Sequence, residues 1–298
     1  MATQFLASMK RRQDTSPKPM QPTTAVGIAF SPASANVIAL HPGLIDFVEI
    51  AFEQLVHDPS NAQICGQTPV ILHCSALNLG GAAEVDPQQL SQVVELTSAL
   101  RSPWLGEHLA FSRSHDLAST LKSNTKSGKE VQIGFTVCPQ LSKRHAKFVA
   151  AKIETVTRQL AVPLLVENPP IYFRMPGSDI ELPKFISFLC EKTTCGLILD
   201  IAHLMVSARN LKCDPLEMLE EFPIDRVTEI HISGCSLQCG IWWDDHAVPA
   251  DPLAFQLLAH VAKSKRPRAI TFEYNWSSKF STEIVIEHIK RARRLCDG

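Results

Sequence analysis

GLILDIAHLMVSARN, residues 196–210, sets how the rest of the chain is read. Leu197–Leu199 is a short unbroken apolar run, the pattern of a parallel strand covered on both faces. Asp200 ends it, and from Ile201 the apolar residues keep helical spacing, so a strand passes into a helix across an acidic side chain. His203 follows three positions later, a spacing that puts two side chains on one helical face. Two readings of Asp200 stand side by side: a ligand paired with His203, or an N-cap of the helix.

The same grammar recurs along the chain. Strand-like runs fall at Ala25–Phe30, Phe47–Phe52, Pro69–Cys74, Trp104–Phe111, Pro163–Glu167, Gly196–Ile201, Val227–Ser233 and Ala269–Tyr274. Helix signals lie between several of them. Asp86-Pro87, Asp214-Pro215 and Asp251-Pro252 each pair an N-cap with a proline in the first turn, and Gln89 is expected to complete a capping box with Asp86. Leu141–Leu160 carries an apolar stripe at Ala146, Val149, Ile153, Val156 and Leu160, and Ser281 is expected to cap a last helix. Eight strands alternating with helices predict an α/β fold, a (β/α)8 TIM barrel in a single domain. A doubly wound sheet is the alternative, but no glycine-rich phosphate loop follows the first strand.

Size and charge agree with that architecture. A chain of 298 residues with 45% hydrophobic side chains is normal for one barrel. Residues 1–22 are polar, with Lys10, Arg11 and Arg12, and are expected to form a disordered tail, leaving 23–298 as the barrel. A formal net charge of −1 gives no field that would draw nucleic acid or an anionic membrane, and no apolar run reaches the length of a membrane span. Nine cysteines, an odd number without a CxxC pair, suggest a reduced, cytoplasmic protein.

The chemistry lies at the strand ends. His73, His108, Glu167, Asp200, His203, His231, Asp244, His246 and Glu273 each sit at or just past the end of an apolar run. In a parallel barrel this polarity collects them at one mouth. Such a ring is costly to desolvate unless positive charge lies inside it, which points to a cluster of metal ions. Of the adjacent pair Glu107-His108 only one can face the mouth; His108 is taken as the ligand and Glu107 as its supporting carboxylate. Asp244 and His246, two apart in an extended segment, point the same way, and Asp245 points elsewhere. Asn168 is either a ligand or a turn residue. His41, His57, His115, His145, His260 and His288 are read as surface or structural.

Two stretches break the rhythm. Ser112–Glu130 is polar and is read either as a lid over the mouth or as a surface loop. Gly234–Ala250 is long for a connection and holds Trp242, Trp243, Asp244, Asp245 and His246, a composition suited to a working loop that touches substrate.

VILHCSALNLG, EHLAFS, LVENPPIYF, LILDIAHLMVSARN, EIHISG, WDDH and FEYN, in this order between Gly27 and Trp276, resemble the multinuclear non-heme iron-dependent oxidases that modify ribosomally made peptides, among them the methanobactin and thiaglutamate oxidases. The resemblance implies a barrel with two or three irons of mixed ferrous and ferric state at the strand C-termini. It also implies dioxygen as co-substrate, oxidation of a residue, often cysteine, in a precursor peptide, and a partner protein that presents that peptide. By resemblance the nine side chains above match metal-ligand positions, and Asn168 matches a Glu-Asn motif. The chain departs from the pattern at VGIAFSPAS in the first strand and at Trp242-Trp243. Cys235 stands where many members have a histidine; a thiolate beside oxidising iron is at risk, and a loop thiol is the expected role. Two other classes fit the ligand types: a divalent-metal sugar isomerase or hydrolase on the same barrel, and a non-catalytic peptide-binding barrel.

Overall fold

The computed structural model describes residues 23–32, 34–41, 43–66, 68–115, 130–275 and 281–297. The expected tail, 1–22, and the middle of the expected lid, 116–129, lie outside the described residues. Strands are numbered in chain order. Eight parallel strands close a barrel: β1 (Ala25–Ala29), β2 (Phe47–Ala51), β3 (Val70–Cys74), β4 (Leu105–His108), β7 (Leu164–Glu167), β8 (Gly196–Asp200), β9 (Val227–Ile232) and β12 (Ala269–Phe272). They pair in that order, and β12 returns to β1 with Ala25 opposite Ala269. The remaining four form two antiparallel hairpins, β5 (Phe111–His115) with β6 (Glu130–Val137) and β10 (Cys235–Gln238) with β11 (Ile241–Asp244).

Each predicted barrel strand is present, most of them a residue or two shorter than expected. The Trp104–Phe111 run is corrected most: β4 ends at His108, and Phe111 opens a hairpin whose strands enter the stretch read as a lid or a surface loop. Leu109 N–H donates to the Glu167 carbonyl at 3.1 Å and Gly80 N–H to the Ala110 carbonyl at 2.9 Å, so these bonds hold the chain as it leaves the barrel. The second hairpin was also unforeseen. Its turn is Cys239-Gly240, with φ of 51° and 81°. Positive φ at both positions is the two-residue turn that matches strand twist, but cysteine at the first of them is a weak signal.

The proline-started helices behave as read. Asp86, Asp214 and Asp251 each accept a hydrogen bond from the first turn of Pro87–Leu100, Pro215–Glu220 and Pro252–Ser264. The capping box at Gln89 is not formed; its Oε1 is buried without a hydrogen-bond partner. The helix within Leu141–Leu160 spans Lys143–Thr157, capped by Ser142; of its expected stripe, Ala146, Val149, Ile153 and Val156 are buried, while Leu160 lies past the helix end and is partly buried. Among the described residues no helix is long and apolar enough to cross a membrane.

The barrel interior is built in layers of alternating strand residues. Phe47, Ile71, Trp104, Leu165 and Ile198, with Ala25 and Ala269, form an apolar plug at the N-terminal end. Two residues further on, facing the same way, stand Glu49, His73, Gly106, Glu167 and Asp200. The side chain changes from hydrocarbon to ligand type within one pleat, so the plug is a dry floor beneath the polar cluster. Glu229 is buried in the barrel too, accepting from Trp104 Nε1 at 2.7 Å and Thr271 Oγ1 at 2.6 Å.

Candidate metal centre

Ten side chains converge above this floor in four groups whose potential donor atoms lie within 4.8 Å of one another: Glu49, His73 and His231; His73, His108 and Glu167; His203, Asp244 and His246; Glu167, Asp200, His231 and Glu273. All nine strand-end residues singled out from the sequence are in these groups. The tenth, Glu49, was missed. It sits in the middle of β2 rather than at its end, and the signal available was a lone carboxylate inside the apolar run FVEIAF.

Glu167 is the hub. Its Oε2 lies 2.7 Å from His108 Nδ1 and 2.9 Å from His73 Nε2, and its Oε1 3.3 Å from His203 Nδ1 and 3.6 Å from His231 Nδ1. Glu49 Oε2 is 3.2 Å from His231 Nε2 and 3.8 Å from His73 Nδ1. Asp244 Oδ2 is 2.7 Å from His246 Nε2 and 3.0 Å from His203 Nε2, and Glu273 Oε1 is 3.5 Å from His231 Nδ1. Several of these atoms approach closely without the angles of hydrogen bonds. Both nitrogens of His73, Nδ1 of His108 and of His231, both oxygens of Glu167 and Oδ2 of Asp200 are buried with no hydrogen-bond partner. Each such atom costs about 1–3 kcal/mol if left unmet. Lone pairs directed into shared spaces fit cations held between the side chains, and the imidazole–carboxylate mixture suits iron, zinc or manganese.

The field without cations makes the same point. Burial opposes charge on His73 and His246, yet Glu49 and Glu167 hold the first up at about 9, and Asp244 and Glu273 the second. His203 and His231 are also held well above the usual imidazole range by their carboxylate neighbours, against burial. Burial pushes Asp200 and Glu49 up to about 7, while for Glu167 it is outweighed by His108 and the other imidazoles, which hold that carboxyl well below its usual range. The cluster draws protons into the positions that metal ions would take, so metal binding here must release them.

The geometry of Asp200 leaves room for both readings at once. Its Oδ1 accepts the His203 backbone N–H at 2.6 Å, capping the helix Ile201–Leu211, and its Oδ2 is left for the cluster. The amide of Asn168 is engaged with backbone: Nδ2 donates to the Asp200 carbonyl at 2.9 Å and Oδ1 accepts its N–H at 2.8 Å. The Asn168 carbonyl lies 2.8 Å from His203 Nδ1. A carbonyl can only accept, so Nδ1 carries a proton, and a cation at the cluster would displace the other proton from Nε2, which faces Asp244 Oδ2 at 3.0 Å.

Glu107 does not support His108, which corrects that expectation. It faces away from the barrel axis, its Oε2 2.5 Å from Cys74 Sγ, and burial raises its carboxyl to about 8. Cys235 lies outside all four groups; its Sγ accepts from Arg209 at 3.2 Å, and burial pushes the thiol up to about 11 against that arginine. Asp245 accepts from Ser236 Oγ and from Gln238 Nε2, away from the cluster. Trp243 packs on Tyr172 with ring centroids 4.6 Å apart, and Trp242 lies under the Arg209 guanidinium at 4.1 Å. Tyr172, Arg209 and Asn210 went unnoticed in the sequence.

Among solved structures, endonuclease IV from Thermus thermophilus matches with a TM-score of 0.54 at 16% identity, covering 91% of this chain and 98% of that one. D-psicose 3-epimerase from Clostridium cellulolyticum matches with a TM-score of 0.53 at 10% identity, covering 92% and 97%. At these identities the likeness is one of fold. Among sequences, a "UPF0276 protein" of Caulobacter vibrioides is 26% identical over 265 residues, 85% of this chain and 88% of its own length. One of Streptomyces avermitilis is 29% identical over 256 residues, 84% of this chain; the match spans about half, 51%, of that longer protein. The model of the family described as "RiPP precursor modification enzyme MbnB/TglH/ChrH" matches residues 25–297, nearly the whole chain, and the chain therefore belongs to that family.

Proposed function

We propose that this protein is a multinuclear, iron-dependent oxidase that uses dioxygen to modify a residue, most simply a cysteine, of a ribosomally synthesised precursor peptide, in the cytoplasm and with a partner protein that presents the peptide. The observation that carries this reading is the sharing of Glu167, His73 and His231 between groups that can each hold an ion. Shared ligands join neighbouring ions into one cluster, whereas a single hydrolytic metal needs only three or four donors.

The bound ions would supply the redox chemistry and the Lewis acidity toward an anionic substrate group. The chain itself supplies the rest. His73, His108, Glu167, Asp200, His203, His231, Asp244, His246, Glu273 and Glu49 are the residues that would hold the ions. The apolar floor of Phe47, Ile71, Leu165 and Ile198 excludes water from below. Tyr172 packs on Trp243 and stands close to Asp244, where the pair would meet a bound peptide.

The test is metal analysis with Mössbauer spectroscopy on protein produced in iron-rich medium, followed by oxygen uptake with a cysteine-containing candidate peptide. Bound iron and peptide-dependent oxygen consumption are expected. Full zinc occupancy with no oxygen uptake would refute the oxidase in favour of the isomerase or hydrolase class, and peptide binding that survives Asp200→Ala and His246→Ala without any bound metal would favour a non-catalytic barrel.

A further inference from the structure

Three of the four ligand groups are interlocked through Glu167, His73 and His231, but the His203, Asp244 and His246 group shares no residue with the others. Two of its members ride on the β10–β11 hairpin and the segment after it rather than on the barrel. A hairpin outside the barrel is held only by what it touches: Tyr172 packs on Trp243, Asn275 donates to the Asp245 and His246 carbonyls, and the helix Ile201–Leu211, which carries His203, meets Trp242.

Asn210 follows His203 by seven residues, two helical turns, on the same face and about 10 Å along the axis. Its Oδ1 accepts the Trp242 N–H at 2.9 Å, and its Nδ2 donates to the Trp242 carbonyl at 3.0 Å and to the Ile171 carbonyl at 3.0 Å. In β11, Ile241 pairs with Gln238 across the two-residue turn, so Trp242 turns its own N–H and carbonyl outward from the hairpin. The Asn210 carboxamide meets both, as a neighbouring strand would. Arg209 grips the same point: its guanidinium covers the Trp242 ring, and it donates to Asp251 at 2.7 Å and to Cys235 Sγ. Asp244 lies two residues beyond Trp242 along the strand, about 7 Å, and its Oδ2 meets His203 Nε2 at the other end of the helix face. His246 holds φ at 55°, a left-handed conformation uncommon outside glycine but more accessible to histidine than to most residues.

We propose that Asn210, with Arg209, is a positioning residue that latches the Trp242-Trp243 strand to the helix and thereby assembles one separable metal position, His203–Asp244–His246, at the edge of the cluster. The inference rests on the metal-dependent reading above. The latch acts through Trp242 on Asp244 and His246; the interlocked groups, anchored on barrel strands, do not depend on it.

The test uses the full chain, stripped of metal and reloaded anaerobically with ⁵⁷Fe(II), as wild type, Asn210→Leu, Asn210→Asp and Arg209→Met. Iron per chain is measured by elemental analysis and each iron environment by Mössbauer spectroscopy; exchange of the Trp242 backbone amide is followed in the metal-free protein. Asn210→Leu is expected to lose one iron per chain, to weaken that site on the order of 10–100-fold, and to remove one Mössbauer component while the others keep their parameters. The Trp242 amide should exchange at least about tenfold faster. Asn210→Asp, which keeps the acceptor for Trp242 N–H, should fall between, and Arg209→Met should weaken the same component; either serves if Asn210→Leu does not fold. Full iron content at wild-type affinity in the Asn210 variants overturns the proposal, as does an even loss from every site. Wild-type protein that takes up no iron refutes the iron-dependent reading instead, and unchanged Trp242 exchange in the variants then overturns the latch by itself.

Discussion

Asp200 gives one carboxylate oxygen to the His203 backbone N–H at 2.6 Å and leaves the other, buried and without a hydrogen-bond partner, to the ligand cluster. The strand end, the helix start and the candidate metal centre meet at this residue. Asp200→Asn retains a capping oxygen and Asp200→Ala does not, so the metal-free asparagine variant should be the more stable by about 1 kcal/mol. Both should lose iron relative to wild type. Urea unfolding of the stripped proteins and elemental analysis of the reloaded ones separate the two roles, and equal stability of the variants would remove the capping role.

Glu49 is predicted to be a full member of the ligand set. Glu49→Gln preserves shape and removes the negative charge facing His73 and His231. Iron affinity should fall at least on the order of 10–100-fold, the range found when a group supporting a metal ligand is altered. Titration of the stripped protein with Fe(II) checks this; wild-type affinity would place Glu49 outside the ligand set.

Gly106 makes room for the His73 ring. A Cβ at this position would stand 2.4 Å from His73 Nδ1 and 2.8 Å from Ile198 Cδ1. Gly106→Ala should therefore push the imidazole out of place, destabilise the chain by about 1–3 kcal/mol through overpacking, and lower iron content. Loss of stability with full iron content would show that the ring can yield without leaving the cluster.

His288 is predicted to contribute a pH-dependent share of stability that owes nothing to metal. Burial first, and then Arg291, lower its pKa from 6.5 to about 4. Tyr274 Oη lies 2.7 Å from its Nδ1, a contact in which the neutral ring can accept from the hydroxyl. Between these two values the unfolded chain binds the proton and the folded chain does not, so stability rises with pH across the window. The share is fully present above about 6.5 and is lost as pH falls toward 4. Urea midpoints of stripped wild type and His288→Gln, compared from pH 4 to 7, should diverge as pH rises; parallel curves would remove His288 as the source.

The sequence exposed the barrel because its evidence is local. Apolar runs such as Leu197–Leu199 and caps such as Asp214 need only their neighbours to be read, and strand direction then assigns His73, Glu167 and Asp200 to one mouth. Glu49 escaped the same reasoning because it lies mid-strand, where a carboxylate looks anomalous until the residues facing it are known. The partner of Glu107 was misjudged for a related reason. Alternation put Glu107 and His108 on opposite faces, but only packing of β3 beside β4 shows that Glu107 meets Cys74.

The sequence by itself determined the repeat of strand and helix, the polarity of that repeat, and the residue types gathered at the mouth, because all three follow from spacing along one chain. The tertiary structure alone decided which donors share a space, that Glu49 joins them, and that Asn210 holds the strand leading to Asp244 and His246. Those relations join residues such as Glu49 and His231, far apart in the chain, and their distances are set by closure of the barrel and docking of the hairpin.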